Sequence, residues 1–195
     1  MNKQLLKKLV IEYGKLDTEH NAYAWREISE NPFNTLLLAA LGYGGKGDTH
    51  TFKAFYELKD RAKNTTLAEF LEKLCKENRL EEIVKELKYP ENFAKTLSDL
   101  IEFNRKYRLD RRKDLSYINP DELYSELKNI YGFRTESGVI LPWAVCDLIR
   151  LWRMRVPKNL KLSVRAVEKL KEFDLSPDDF DVEDYPYVDL AMFRL

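Results

Sequence analysis

Residues 31–41 read Asn31-Pro32-Phe33-Asn34-Thr35-Leu36-Leu37-Leu38-Ala39-Ala40-Leu41 and contain no charged side chain. Asn followed by Pro is a helix-start signal, because Asn caps free backbone amides and Pro is tolerated in the first helical turn. A helix that is apolar on every face is normally buried on every face. The stretch therefore predicts a helix over residues 33–41 at the centre of a packed core.

The segments on both sides of this helix carry a helical period. Apolar residues recur every three or four positions, and no stretch alternates apolar and polar residues as a half-buried strand would. Gly14 predicts the end of the first helix, and Gly132 predicts the end of the helix that starts at Pro120. Capping residues predict further helix starts, and they stand at Thr65 or Thr66, Asn119 and Ser163.

These patterns predict an all-α protein, a compact globule of nine or ten short helices. Its 195 residues are enough for one large domain or two small ones. The irregular, basic segment 109–118 is the best candidate for an internal boundary. We therefore expect one all-α unit over residues 1–195, with two lobes, 1–108 and 119–195.

Charge is balanced in total but not along the chain. Lys plus Arg and Asp plus Glu are each 33, so the net charge is zero, which argues against a general polyanion binder. Residues 105–113 hold six cations and one acid, and residues 148–171 hold eight cations and one acid. Residues 172–195 hold eight acids and one cation. We call residues 105–113 and 148–171 the basic belt, and residues 172–195 the acidic tail. The basic belt indicates either an anion-binding surface or solvated helix faces that pair with the acidic tail.

No motif for a cofactor or a metal is present. In the glycine-rich segment 42–47 and the two residues after it, the spacing of a phosphate-binding Walker loop places Asp48 where that loop needs Lys. Two cysteines, Cys75 and Cys146, lie too far apart for a metal or redox motif, and there are only two histidines. We therefore expect no cofactor and no metal.

The sequence also indicates a cellular setting. It carries no secretory signal and no apolar run long enough to span a membrane, so we expect a cytoplasmic protein with no membrane partner. Gln4 is the only glutamine, and Lys and Glu are plentiful, a bias that favours a thermophilic source.

Asp147 is the candidate for acid–base chemistry. It lies in an apolar stretch between Cys146 and Leu148, where a carboxylate needs a partner, and Arg150 follows at the next helical turn. A structural ion pair with Arg150 and a catalytic carboxyl with a shifted pKa both fit this pattern.

The order of the elements resembles the helix-hairpin-helix DNA glycosylase superfamily, which has the endonuclease III-like fold. Residues 31–41 are similar to its first core helix, which opens with Pro-Phe and an aliphatic run. Residues 54–59 match the Ala-Phe-x-x-Leu-Lys pattern of the next helix. The remaining correspondence is by order: the long helix before the hairpin at 91–107, the hairpin and its flanking helices at 119–138, and the last helix at 189–195.

The resemblance implies DNA binding without the usual catalysis. Glu136 stands near the position of the family's catalytic lysine, and Met154 stands where the assisting aspartate would be. One hairpin glycine is matched by Gly132, whereas Arg134 replaces the second. The residues that would hold the DNA backbone are Gly132, Phe133, Arg134 and Gly138, extended by Lys158 and Lys161.

Two functions follow as expectations. The first is a DNA-repair-like helical protein that binds double-stranded DNA through its basic belt. The alternative is a helical protein-interaction module with no nucleic-acid role. An enzyme that uses Asp147 or another buried acid stays open as a third.

Overall fold

A computed structural model describes residues 3–43, 48–133 and 142–194. These residues form ten α-helices and three short 3-10 turns, with no β-strand among them. The helices are α1 (Lys3–Ser29), α2 (Pro32–Tyr43), α3 (Asp48–Ala62), α4 (Leu67–Lys76), α5 (Leu80–Glu86), α6 (Phe93–Tyr107), α7 (Pro120–Leu127), α8 (Pro142–Trp152), α9 (Val164–Glu172) and α10 (Tyr185–Arg194). The 3-10 turns are Leu109–Arg111, Pro177–Asp179 and Val182–Asp184. The prediction of an all-α protein is confirmed for this part of the chain.

Residue contacts divide the chain into two compact units. The first, which we call the terminal unit, contains Met1–Ile28, Asp114–Ser125 and Thr135–Leu195. The second, which we call the central unit, contains Ser29–Lys113 and Glu126–Arg134. One division follows Lys113, inside the basic segment 109–118. Residues 3–28, which the sequence places in the first lobe, belong instead with the C-terminal segment.

Helix α2 is the core of the central unit, as its lack of charge predicts. Leu36, Leu37 and Leu41 are fully buried, and α2 packs against α3, α4 and α6. The helix starts after Asn31, whose Oδ1 accepts the N–H of Asn34 at 2.9 Å. Burying one leucine side chain contributes about 1.5–3 kcal/mol, so this helix provides much of the unit's stability.

The terminal unit has its own apolar core, in which α10 packs against α8 and α9. One buried cluster joins α1 and α9 to α10 and to the turns before it. Its members are Val10, Leu162, Ala166, Leu170, Leu175, Phe180, Val188, Ala191 and Met192.

Gly14 does not end the first helix, so that prediction is wrong. Helix α1 continues through it to Ser29 and is 27 residues long, which also makes it longer than the short helices expected. A Cβ atom at position 14 would lie 2.1 Å from the carbonyl oxygen of Tyr187 in α10. Glycine stands here because two helix backbones approach closely, not because a helix stops.

The capping signals in the sequence place most helix starts correctly. Thr66 and Glu69 form a reciprocal capping box at the start of α4, and Ser163 Oγ accepts an amide in the first turn of α9. Asn119 Oδ1 accepts the Asp121 amide at 3.1 Å in the first turn of α7. That helix ends at Leu127 and not at Gly132, because the chain turns away after Leu127.

Candidate nucleic-acid interface

Two segments of the terminal unit lie beside each other, and we call them the paired loops. One is 114–121, which leads into α7, and the other is 152–163, which connects α8 to α9. The Leu115 amide donates to the carbonyl oxygen of Trp152 at 2.8 Å. Both of these residues are buried, so this contact is protected from solvent.

Two more contacts join the paired loops. The Arg153 guanidinium lies 3.7 Å from the Asp114 carboxylate, beside the first contact. At the other end, the Lys158 amide donates to Asp121 Oδ1 at 2.7 Å. The backbone between these points is therefore held at both ends.

The segment 152–163 separates apolar from basic side chains. Its buried residues are Trp152, Met154, Pro157, Leu160 and Leu162. Its exposed cations are Arg153, Arg155, Lys158 and Lys161. Burial of the apolar set fixes the backbone that carries the cations, so part of the entropy cost of ordering this loop is already met in the folded protein.

Some cations of the basic belt are paired. Within residues 148–171 the ion pairs are Arg150 with Asp147, Arg153 with Asp114 and Lys169 with Glu172. Arg165 lies over the Phe193 ring, 4.6 Å from its centre. Arg155, Lys158 and Lys161 make no ion pair with any acid that the structure describes.

The acidic tail accounts for little of this pairing. Asp179 pairs with Lys3 at 3.1 Å, and Asp189 accepts the Ser163 amide at 2.9 Å. Among the described residues, one ion pair joins the tail to the belt, that of Glu172 with Lys169 at 2.8 Å. Self-neutralisation of the belt by the tail is therefore slight in the part of the chain that the structure describes.

The basic residues 105–113 belong to the central unit and are more fully neutralised. Arg105 pairs with Glu72 and Glu102, and Lys106 pairs with Glu126. Arg111 lies 3.6 Å from Glu69. The unpaired positive charge of the terminal unit is thus the better candidate for binding an anion.

The hairpin residues predicted to hold a DNA backbone are found in part. Gly132 lies in a turn with φ +80°, a left-handed conformation that favours glycine. Phe133 is fully buried, and its amide donates to the Ile130 carbonyl at 3.1 Å, so Phe133 offers neither side chain nor amide to a phosphate. Arg134 and Gly138 lie outside the described residues.

Lys158 and Lys161, the other two predicted residues, are exposed and belong to the terminal unit, whereas Gly132 and Phe133 belong to the central unit. The Lys161 backbone hydrogen-bonds the Tyr124 hydroxyl, and burial raises the pKa of that hydroxyl. Both lysines thus project from anchored backbone.

Asp147 forms the ion pair with Arg150 that the sequence allows. The side chains are 26% and 11% exposed, and burial raises the pKa of the Asp147 carboxyl. Burial also raises the pKa of Asp189, which Ser163 contacts through its amide. Because each carboxylate already has a bonding partner, this geometry favours the structural interpretation of Asp147 over the catalytic one.

Sequence reasoning missed Tyr117, which lies in the paired loops. Its side chain is 92% exposed, more than any other large apolar or aromatic residue that the structure describes. No pattern in the sequence separates it from the buried neighbours Leu115 and Ile118. A tyrosine close to two apolar residues suggests a buried position in the core. Only the turn geometry shows that this side chain faces solvent.

No protein-family model, curated protein or solved structure matches this chain.

Two findings concern other kinds of partner. No helix in the described ranges is both long and apolar enough to cross a lipid bilayer. Across residues 3–43, 48–133 and 142–194, the His, Cys, Asp and Glu side chains form no cluster suited to a metal ion.

Proposed function

We propose that this protein binds the phosphate backbone of double-stranded DNA through Arg155, Lys158 and Lys161 of the paired loops. One observation carries the proposal: these exposed cations lie on anchored backbone and make no ion pair with the described acids. Phosphate oxygens are the usual partners of such arginine and lysine groups in protein–DNA complexes. The DNA-repair-like, endonuclease III-like relationship that the sequence suggests is part of the same proposal.

The proposed role is binding without the glycosylase reaction. Met154, at the position of the family's assisting aspartate, is 2% exposed and has no acidic group. Glu136, near the position of the catalytic lysine, is an acid and cannot attack a sugar as an amine does. Phosphate contact needs neither residue.

Salt dependence tests the proposal directly. With three phosphate contacts, the slope of log affinity against log salt should be about −2.7, since each contact contributes about −0.9. Affinity for a labelled duplex should then fall about 40-fold between 50 and 200 mM salt. Fluorescence anisotropy measures both values, and a wild-type protein that does not bind at low salt refutes the proposal.

A charge-reversal pair locates the contact. Lys158→Glu combined with Lys161→Glu should weaken binding at every duplex sequence and reduce the salt slope by about 2. The matched control is Lys85→Glu with Lys88→Glu, which reverses two exposed lysines of the central unit and changes the net charge equally. An equal loss in both variants would show that net charge, and not this loop, governs binding.

The alternative, a helical interaction module, is favoured by one face of α1. Leu5, Leu9 and Tyr13 recur every four residues, which places them on one side of the helix, and they are 51%, 46% and 43% exposed. Leu6 and Val10 face the terminal-unit core instead. Self-association or protein binding that Leu9→Lys abolishes, with no DNA binding at low salt, would support this alternative over the proposal.

A further inference from the structure

The Tyr117 side chain is exposed to solvent, and it stands on a hydrogen-bonded turn. Leu115 and Ile118, on either side, are buried, and the Ile118 amide donates to the Leu115 carbonyl at 3.1 Å. The Ser116 amide donates to Asp114 Oδ1 at 2.7 Å. Tyr117 is therefore a central residue of a hydrogen-bonded turn whose flanking side chains anchor it, so the backbone that carries its exposed ring is fixed.

The ring shares the paired loops with the unpaired cations. The turn lies between two contact points of the loops, Leu115 with Trp152 and Asp121 with Lys158. Arg155 lies between those same points on the facing segment. An aromatic ring and two cations, from Arg155 and Lys158, are thus brought to one part of the terminal unit.

Exposed aromatic rings beside cations have a well-defined use in nucleic-acid binding. Cations contact phosphates along a strand, while an aromatic face stacks on a base, which every nucleobase permits. A fully paired duplex keeps its bases stacked inside, where a surface tyrosine cannot reach their faces. The nearest residues in sequence that solvent reaches are the polar Ser116 and Asn119, since Leu115 and Ile118 are buried, and a protein-binding hot spot typically has apolar surroundings.

We propose that Tyr117 stacks on an unpaired nucleobase, so that the preferred ligand is DNA with single-stranded or unpaired bases. This inference rests on the proposed function, because Arg155 and Lys158 supply the phosphate contacts of the same strand.

Three probes test it: a fully paired duplex, the same duplex with a gap of four nucleotides, and the gap strand alone. We expect wild type to bind the gapped duplex and the single strand more tightly than the paired duplex. Tyr117→Ala should lose about tenfold in affinity for the two probes with unpaired bases. Its affinity for the paired duplex and its salt slope should stay unchanged, and Tyr117→Phe should restore binding because it keeps the ring.

A 2-aminopurine base in the gap gives an independent readout. Stacking should change its fluorescence with wild type and Tyr117→Phe but not with Tyr117→Ala. Because the Tyr117 side chain is 92% exposed, its replacement should leave the melting temperature unchanged.

The outcomes separate this inference from the proposed function. If wild type binds duplex DNA with the expected salt slope but Tyr117→Ala behaves identically on all three probes, the stacking inference is overturned and the phosphate contact stands. If wild type binds none of the probes at low salt, the proposed function fails and this inference fails with it.

Discussion

Replacing Gly14 with Ala should destabilise the terminal unit, although the same change usually strengthens a helix. In an exposed helix interior, Ala is favoured over Gly by about 1 kcal/mol. At this position the new Cβ would lie 2.1, 2.7 and 2.9 Å from the carbonyl oxygen, carbonyl carbon and Cα of Tyr187. All three are backbone atoms, so no side-chain rotation can relieve the overlap.

The cost follows from the movement that the overlap requires. Helices α1 and α10 would have to separate by about 1.3 Å to restore ordinary contact, and overpacking of this kind costs about 1–3 kcal/mol. The separation would also loosen Val10, which is 4% exposed in the core that α10 shares. After the gain in helix propensity, we expect a net loss of about 1 kcal/mol, or about 2–4 °C in Tm for a chain of this size.

Circular dichroism melts and urea titrations measure this loss. Glu12→Ala is the matched control on the same helix, since Glu12 is 52% exposed and its pair with Lys8 is exposed too. It should change stability by less than about 0.5 kcal/mol. A Tm for Gly14→Ala that equals or exceeds that of wild type would refute the close approach of α1 and α10.

Three further predictions concern carboxylates of the terminal unit. Asp147→Asn should cost about 2–3 kcal/mol, less than a fully buried pair because its carboxylate is 26% exposed, and an unchanged Tm in thermal melts would favour a catalytic role instead. Burial raises the pKa of the Asp189 carboxyl, so the folded protein favours its protonated form. The stability from this form is present below about pH 4 and is lost as the pH rises through the folded pKa. Asp189→Asn should therefore have a higher Tm than wild type between pH 4 and 7. The Ser176 amide and Lys3 lower the pKa of Asp179, so the Tm cost of Asp179→Asn should be full at neutral pH and shrink as the pH falls below about 4. Parallel changes of Tm with pH in Asp189→Asn and Asp179→Asn would contradict at least one of these two assignments.

Capping and hydrophobic patterns in the sequence predict the helix starts, because those starts are determined by neighbouring side chains. Helix α2 and the starts of α4, α7 and α9 depend on side chains within three residues of the helix start, so the sequence contains the whole cause. Helix ends are different in this protein. In the part of the chain that the structure describes, seven residues other than glycine adopt positive φ, and they are Glu30, Lys63, Asn78, Lys88, Arg108, Arg153 and Asp174.

Each of these seven residues follows or lies close after a helix, where glycine is the residue that the sequence rules favour. A lysine or arginine in the left-handed region costs about 1–2 kcal/mol, which the surrounding packing must supply. Such ends have no signature in a single sequence. At Gly14 the opposite happens: the sequence rule predicts a helix end where the helix continues. That glycine is explained by its contact with Tyr187, far along the chain, and not by a local turn.

The sequence shows how many cations the basic belt contains, but it does not show which of them are exposed and unpaired. Arg150 and Lys158 contribute equally to the basic belt, yet Arg150 is 11% exposed and paired with Asp147, whereas Lys158 is exposed. The difference arises because Arg150 lies within a packed helix and Lys158 lies in a loop. A charge map therefore predicts a basic region, and only the fold shows which cations could meet a phosphate.

The paired loops exist because two helix ends meet. Helix α8 ends at Trp152, with Arg153 at φ +57°, and α7 begins at Pro120. The sequence signals the start of α7 but not the end of α8, and nothing local predicts that the two come together. Their meeting places Tyr117 and Arg155, which are distant in sequence, on neighbouring segments. Our proposals assign the ring to a base and the cation to a phosphate. If both proposals hold, the ligand must offer a charged backbone to the cations and an accessible base face to the ring, and DNA with unpaired bases offers both.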